Sequence, residues 1–233
     1  RAVELSGTTA SVHKDVTISN NQREDFQSRV TDFNTQPEPD NCLPTAVKNI
    51  GDDLARRKKA SGLEHSLSEF NDALDYQVGR ASVSDRVAAR IDPLIEQSGY
   101  EVEQSGYEVM IASPSPDQLQ NIAESESTSL PVCEVDAEYF EYVEHGYEPE
   151  QGIDRYGRFH HVIIPIAFND STILYYDPYI NFFSHLGDGL EMELPYETFY
   201  ELWNRPEKRW TLWIREQVQK TLTASTREHN DSN

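Results

Sequence analysis

Gln36-Pro-Glu-Pro-Asp-Asn-Cys-Leu-Pro-Thr-Ala-Val-Lys-Asn-Ile-Gly-Asp-Asp-Leu54 is the stretch on which the reading of this chain turns. Its first six residues form a stiff loop with two prolines. Asp40 and Asn41 are good N-cap types, and Pro44 suits a first helical turn. From Cys42 the apolar residues Leu43, Ala46, Val47, Ile50 and Leu54 recur at steps of three and four, which predicts a helix to about Lys59. Lys48, Asp52, Asp53 and Arg56 are expected on the outward face. A cysteine therefore opens a helix that is buried on one side.

Further helices are expected downstream. Leu67, Phe70 and Leu74 mark 66–76, Val87, Ile91, Leu94 and Ile95 mark 83–97, and Leu119 and Ile122 mark 116–124. Between them, Ser98-Gly-Tyr-Glu-Val and Ser105-Gly-Tyr-Glu-Val form a tandem too short for a solenoid and read as a turn and a strand. The second half changes character. Leu130 to Val135, Phe159 to Phe168, Thr172 to Asp177, Leu190 to Leu194 and Arg209 to Ile214 read as strands, with a turn at Asn169-Asp-Ser171 and a helix over Pro195–Trp203. Helices first and an antiparallel sheet second predict an α+β architecture. Residues 1–35 read as a polar N-terminal extension, 36–215 as the domain, and 216–233 as a polar helix or tail.

Composition excludes several functions. The formal net charge of the 233-residue chain is -21, from 41 acidic and 20 basic side chains of which six are Lys. Nucleic acid and anionic membranes would be repelled by it. The charge is spread along the chain and resembles that of the Lys-poor proteins of halophilic archaea, where salt screens self-repulsion. No run of 18 apolar residues exists, so no membrane span is expected. No signal peptide is visible, although the chain opens on Arg1; the cytoplasm is expected rather than secretion. Two cysteines, Cys42 and Cys133, make no disulfide framework, and Cys133 reads as core. No cofactor is expected. A metal is not expected either: His160 and His161 diverge on a strand, and the acidic loop 137–154 lacks EF-hand spacing, so it reads as a solvated flap.

The chemistry lies in the order Gln36, Cys42, His161, Asp177. A helix N-terminus favours a thiolate. A neighbouring histidine would pair with that thiolate and later protonate a leaving group. Asp177, across the hairpin, would orient the imidazole. The Cys42 backbone N–H and the Gln36 side-chain amide could meet a developing oxyanion. Read singly, each residue has a plainer alternative: a core cysteine, a satisfied strand histidine, an Asp-Pro turn.

Together these segments resemble the papain-like clan of cysteine peptidases, most nearly the peptidases that cut bacteriocin leaders after a double glycine and their stand-alone relatives. Cys42-Leu-Pro-Thr-Ala46 resembles the Cys-Gly-Pro-x-Ala of the nucleophile helix. His161 to Phe168 resembles His-x-Val-Val-x-x-Gly-Tyr, and Asp177-Pro178 resembles the Asp-Pro after the return strand. Leu130 to Val135 and Tyr196 to Ile214 extend the likeness, which covers about 36–214. It implies a papain-like fold, a peptide or protein substrate, Cys42 as nucleophile, His161 as base, Asp177 as its partner and Gln36 in the oxyanion hole. His160, Leu43 and Tyr179 are candidates for the substrate wall. Leu43 and Ala167 depart from glycines of the family pattern. Leu43 favours a second reading, an idle module that binds a peptide or partner. An amidase or acyltransferase using the same residues is the third.

Overall fold

The computed structural model describes residues 19–37, 41–58, 65–75, 87–98, 106–136, 160–169, 171–179, 192–204 and 210–217. The acidic loop read as a flap, the first half of the Gly-Tyr tandem and the C-terminal tail beyond 217 lie outside the described residues. The chain is α+β, with helices packed on a six-stranded antiparallel sheet.

Helix α1 (Asn20–Val30) lies inside the segment read as an extension. Ser19 and Gln22 close a capping box at its start, each side chain satisfying the other's backbone N–H. Helix α2 (Cys42–Lys58) begins at the cysteine, and its apolar face is fully buried. Helices α3 (Leu67–Ala73) and α4 (Val87–Ser98) follow, then strand β1 (Tyr107–Ala112) and helix α5 (Pro116–Glu124). Strands β2 (Val132–Asp136), β3 (His160–Phe168), β4 (Thr172–Tyr176) and β5 (Met192–Pro195) precede helix α6 (Tyr196–Asn204) and strand β6 (Thr211–Glu216).

The strands lie in the order β1-β6-β2-β3-β4-β5, every neighbouring pair antiparallel. Alternation sorts their side chains to two faces. Val162, Ile164, Ile166, Leu174 and Tyr176 join α1 to α4 in one core, while Ile163, Ile173 and Tyr175 join α5 and α6 in another. The register slips between Pro165 and Ala167. Proline has no N–H for the ladder, and a bulge is where a central strand tolerates it. Asn169 closes the β3–β4 turn, its Oδ1 accepting from the N–H groups of Ser171 and Thr172. Among the described residues no helix is long and apolar enough to cross a membrane.

One sequence expectation is corrected. Asp53 does not face solvent: its side chain is 0% exposed, and Arg29, Arg56 and Arg57 converge on it at 2.7, 3.1 and 3.0 Å. Helical spacing alone cannot show this, because the surface that covers Asp53 is α1, a largely polar helix with only Phe26 and Val30 buried. Phe26 and Val30 of α1 are buried at 0% and 1% exposure, worth about 1.5–3 kcal/mol each in transfer terms.

Candidate functional site

The segment between α1 and α2 fixes one side of the site. It runs antiparallel to α2: Arg29 meets Asp53, then Asn34 meets Asn49, then Gln36 reaches the sheet. The Gln36 N–H donates to the Pro178 carbonyl at 2.8 Å, and the residue is buried. The Tyr176 hydroxyl donates to the Asn34 carbonyl at 3.1 Å. The loop ahead of Cys42 is thereby stitched to the end of β4.

Strand β3 supplies the histidine. The Val135–His161 pairing places His161 one step inside the β3 start, and His160 opens the strand opposite Asp136. Continuing the Ile164–Tyr176 register brings His161 level with Tyr179, with Asp177 on the adjacent diagonal. The contacts agree. His161 Nε2 and Asp177 Oδ1 are 2.7 Å apart, and the Tyr179 ring meets the imidazole edge-on at 6.2 Å between centroids. Asp177 Oδ1 also accepts the Tyr179 N–H at 2.8 Å, and its side chain is 0% exposed.

Cys42 lies near enough to His161 for its side chain to help hold the imidazole in its charged form. Burial alone would lower the His161 pKa. The Asp177 charge and hydrogen bond, followed by the nearby Cys42, outweigh it and raise the pKa to about 10. Tyr176 is pushed up by burial and by the Asp177 charge. Neither cysteine is in a disulfide, and Cys42 is half-buried while Cys133 is buried in the second core, 3.7 Å from the Thr211 hydroxyl.

Cys42, His161, Asp177, Tyr179 and the Gln36 backbone thus gather at one place. Leu43 does not join them at the surface: it is 2% exposed and packs into the core under α2. Sequence reasoning passed over Asn49 and Glu134. Asn49 and Tyr176 both hold Asn34. Glu134, one residue from Val135, is 3% exposed, and burial raises its pKa to about 7 against the opposing bond from Trp210. A polar stripe at Cys42, Thr45, Asn49 and Asp53 was the legible signal for the first of these, since a helix face buried on both sides carries it for a reason. Among the described residues no three His, Cys, Asp or Glu gather as a metal would require. No family model, curated protein or solved structure matches the chain.

Proposed function

We propose that the chain is a cysteine peptidase of papain-like architecture, cleaving a peptide or isopeptide bond. The observation that carries this reading is His161, bonded at Nε2 to a buried carboxylate and close enough to a half-buried cysteine at a helix start to be charged in part by it. That arrangement suits a thiolate–imidazolium pair.

In the proposed mechanism the Cys42 sulfur attacks the scissile carbonyl and its π electrons move to oxygen. The Cys42 N–H and the Gln36 side-chain amide donate to that oxyanion. Its collapse expels the amine, which takes the proton from His161, and leaves a thioester on Cys42. Water then gives a proton to His161 and its oxygen to the acyl carbon, releasing the acid and regenerating the pair. Asp177 stays ionised and holds the ring. Leu43, being in the core, does not close the site, so the glycine departure does not argue for an idle module.

Iodoacetamide near neutral pH tests the reading in molar salt. Cys42 should alkylate far faster than the buried Cys133, His161→Ala should slow Cys42 to an ordinary thiol, and Cys42→Ala should abolish turnover of a fluorogenic peptide library. Equally slow labelling of both cysteines in the folded protein would sink the proposal.

A further inference from the structure

Along α2 one stripe is polar, Cys42, Thr45, Asn49 and Asp53, at steps of three, four and four, and beyond the half-buried Cys42 it is buried. The arm from α1 lies over this stripe in reverse. At its far end Arg29 takes Asp53. At its middle Asn49, 0% exposed, grips both backbone groups of Asn34: its Oδ1 accepts the Asn34 N–H at 2.7 Å and its Nδ2 donates to the Asn34 carbonyl at 2.9 Å. The same Oδ1 accepts from the Asn34 side-chain Nδ2 at 3.1 Å. Tyr176 donates to that carbonyl from β4. Two residues on, Gln36 donates its N–H to Pro178, which follows Asp177.

A buried amide that reads a single residue's N–H and C=O together does the work of a β-bridge, and it does so from the helix that carries the cysteine. Register along the arm is consequently set on α2. Slipping Asn34 by one residue would strand an N–H, a carbonyl and the Asn49 amide inside the protein, each costing about 1–3 kcal/mol. The position of Gln36 relative to Cys42 therefore follows from this clamp, seven residues down the helix.

We propose that Asn49 is a positioning residue that holds Gln36 in register with Cys42, with Tyr176 as its second support. The role rests on the reading of Gln36 as an oxyanion donor. It touches neither the substrate nor the reacting atoms.

Two measurements test it. Amide hydrogen exchange followed by NMR reads the Gln36 N–H directly and needs no activity. Asn49→Ala should speed that exchange by about tenfold or more while the β3 amides stay protected. Where Asn49→Ala fails to fold, Tyr176→Phe removes one hydroxyl, keeps the ring, and should speed the same amide by a smaller factor. Gln36 exchange unchanged in a folded variant overturns the proposal. The second measurement uses acetyl-Leu-Leu-norleucinal, an aldehyde whose adduct with the thiol puts an oxygen where the donors aim, against iodoacetamide, which needs the sulfur alone. Asn49→Ala should weaken aldehyde binding about tenfold or more and leave the iodoacetamide rate on Cys42 unchanged. Equal loss of both overturns a role directed at Gln36. A wild-type protein inert to both reagents overturns the peptidase reading instead, and leaves the exchange result standing.

Discussion

Replacing Asp177 by Asn tests the electrostatics of the site at its centre. The side chain is 0% exposed and its Oδ1 lies 2.7 Å from His161 Nε2, so Asn keeps the shape and removes the charge. Burial alone pushes the His161 pKa below its ordinary 6.5, and Asp177 is foremost among the groups that raise it to about 10. An opposite charge in contact is worth about 1–3 pH units, so Asp177→Asn should lower the titration midpoint by that much. In wild type the rise from 6.5 to about 10 corresponds to about 5 kcal/mol at most, at about 1.36 kcal/mol per pH unit. The sign is that of a group whose folded pKa is raised. Its stabilisation is complete below pH 6.5, declines as pH rises, and is gone above about pH 10. Imidazole signals of histidine-labelled protein, with the His161 peak assigned by His161→Gln, read the midpoint. Urea unfolding at about pH 6 and about pH 9.5 reads the stability difference, which should shrink in Asp177→Asn. A midpoint that does not move on removing Asp177, with the fold intact, would refute the reasoning.

Asp53→Ala should destabilise the fold by about 3–5 kcal/mol in urea melts, because it leaves three guanidinium groups around an empty buried position. A loss below about 1 kcal/mol would mean that the cluster acts as a surface pair does. Lowering salt from molar to millimolar should depress the melting temperature, since a net charge of -21 is then unscreened; an unchanged melting temperature removes the salt-adaptation reading.

The parts of the fold that sequence revealed are those where one residue type carries a strong local signal. The α2 start was legible because Pro44 and an apolar period of three and four coincide, and the helix begins at Cys42 as expected. The β3–β4 hairpin was legible from a long apolar run meeting Asn169-Asp-Ser171. Helix α1 was not, because only Phe26 and Val30 bury fully among eleven residues and the rest is polar. Its start could have been found from Ser19 and Gln22, a capping box three residues apart. Within the site, Cys42, His161 and Asp177 were legible from residue chemistry and order. The polar stripe marks Asn49 as a buried polar residue, but its partner is chiefly the backbone of Asn34, and backbone groups leave no mark in a sequence, so the clamp itself was not legible.

The Asp53 cluster and the Asn49 clamp give one account of how a strongly acidic chain builds a site from distant segments. With 41 acidic and 20 basic side chains, carboxylates outnumber basic groups about two to one. Three arginines nevertheless converge on the single carboxylate of Asp53, and Arg57 spends a further N–H on the Thr128 carbonyl at 2.7 Å. Exposed charges are screened by salt, whereas pairs at a fully buried carboxylate are screened much less. Salt therefore relieves the repulsion among the surface carboxylates and leaves the α1–α2 joint nearly intact. The Asn49 clamp carries no net charge and is indifferent to both. Ionic strength should accordingly alter global stability while the register of Gln36 with Cys42, set by neutral amides, stays fixed until the molecule unfolds.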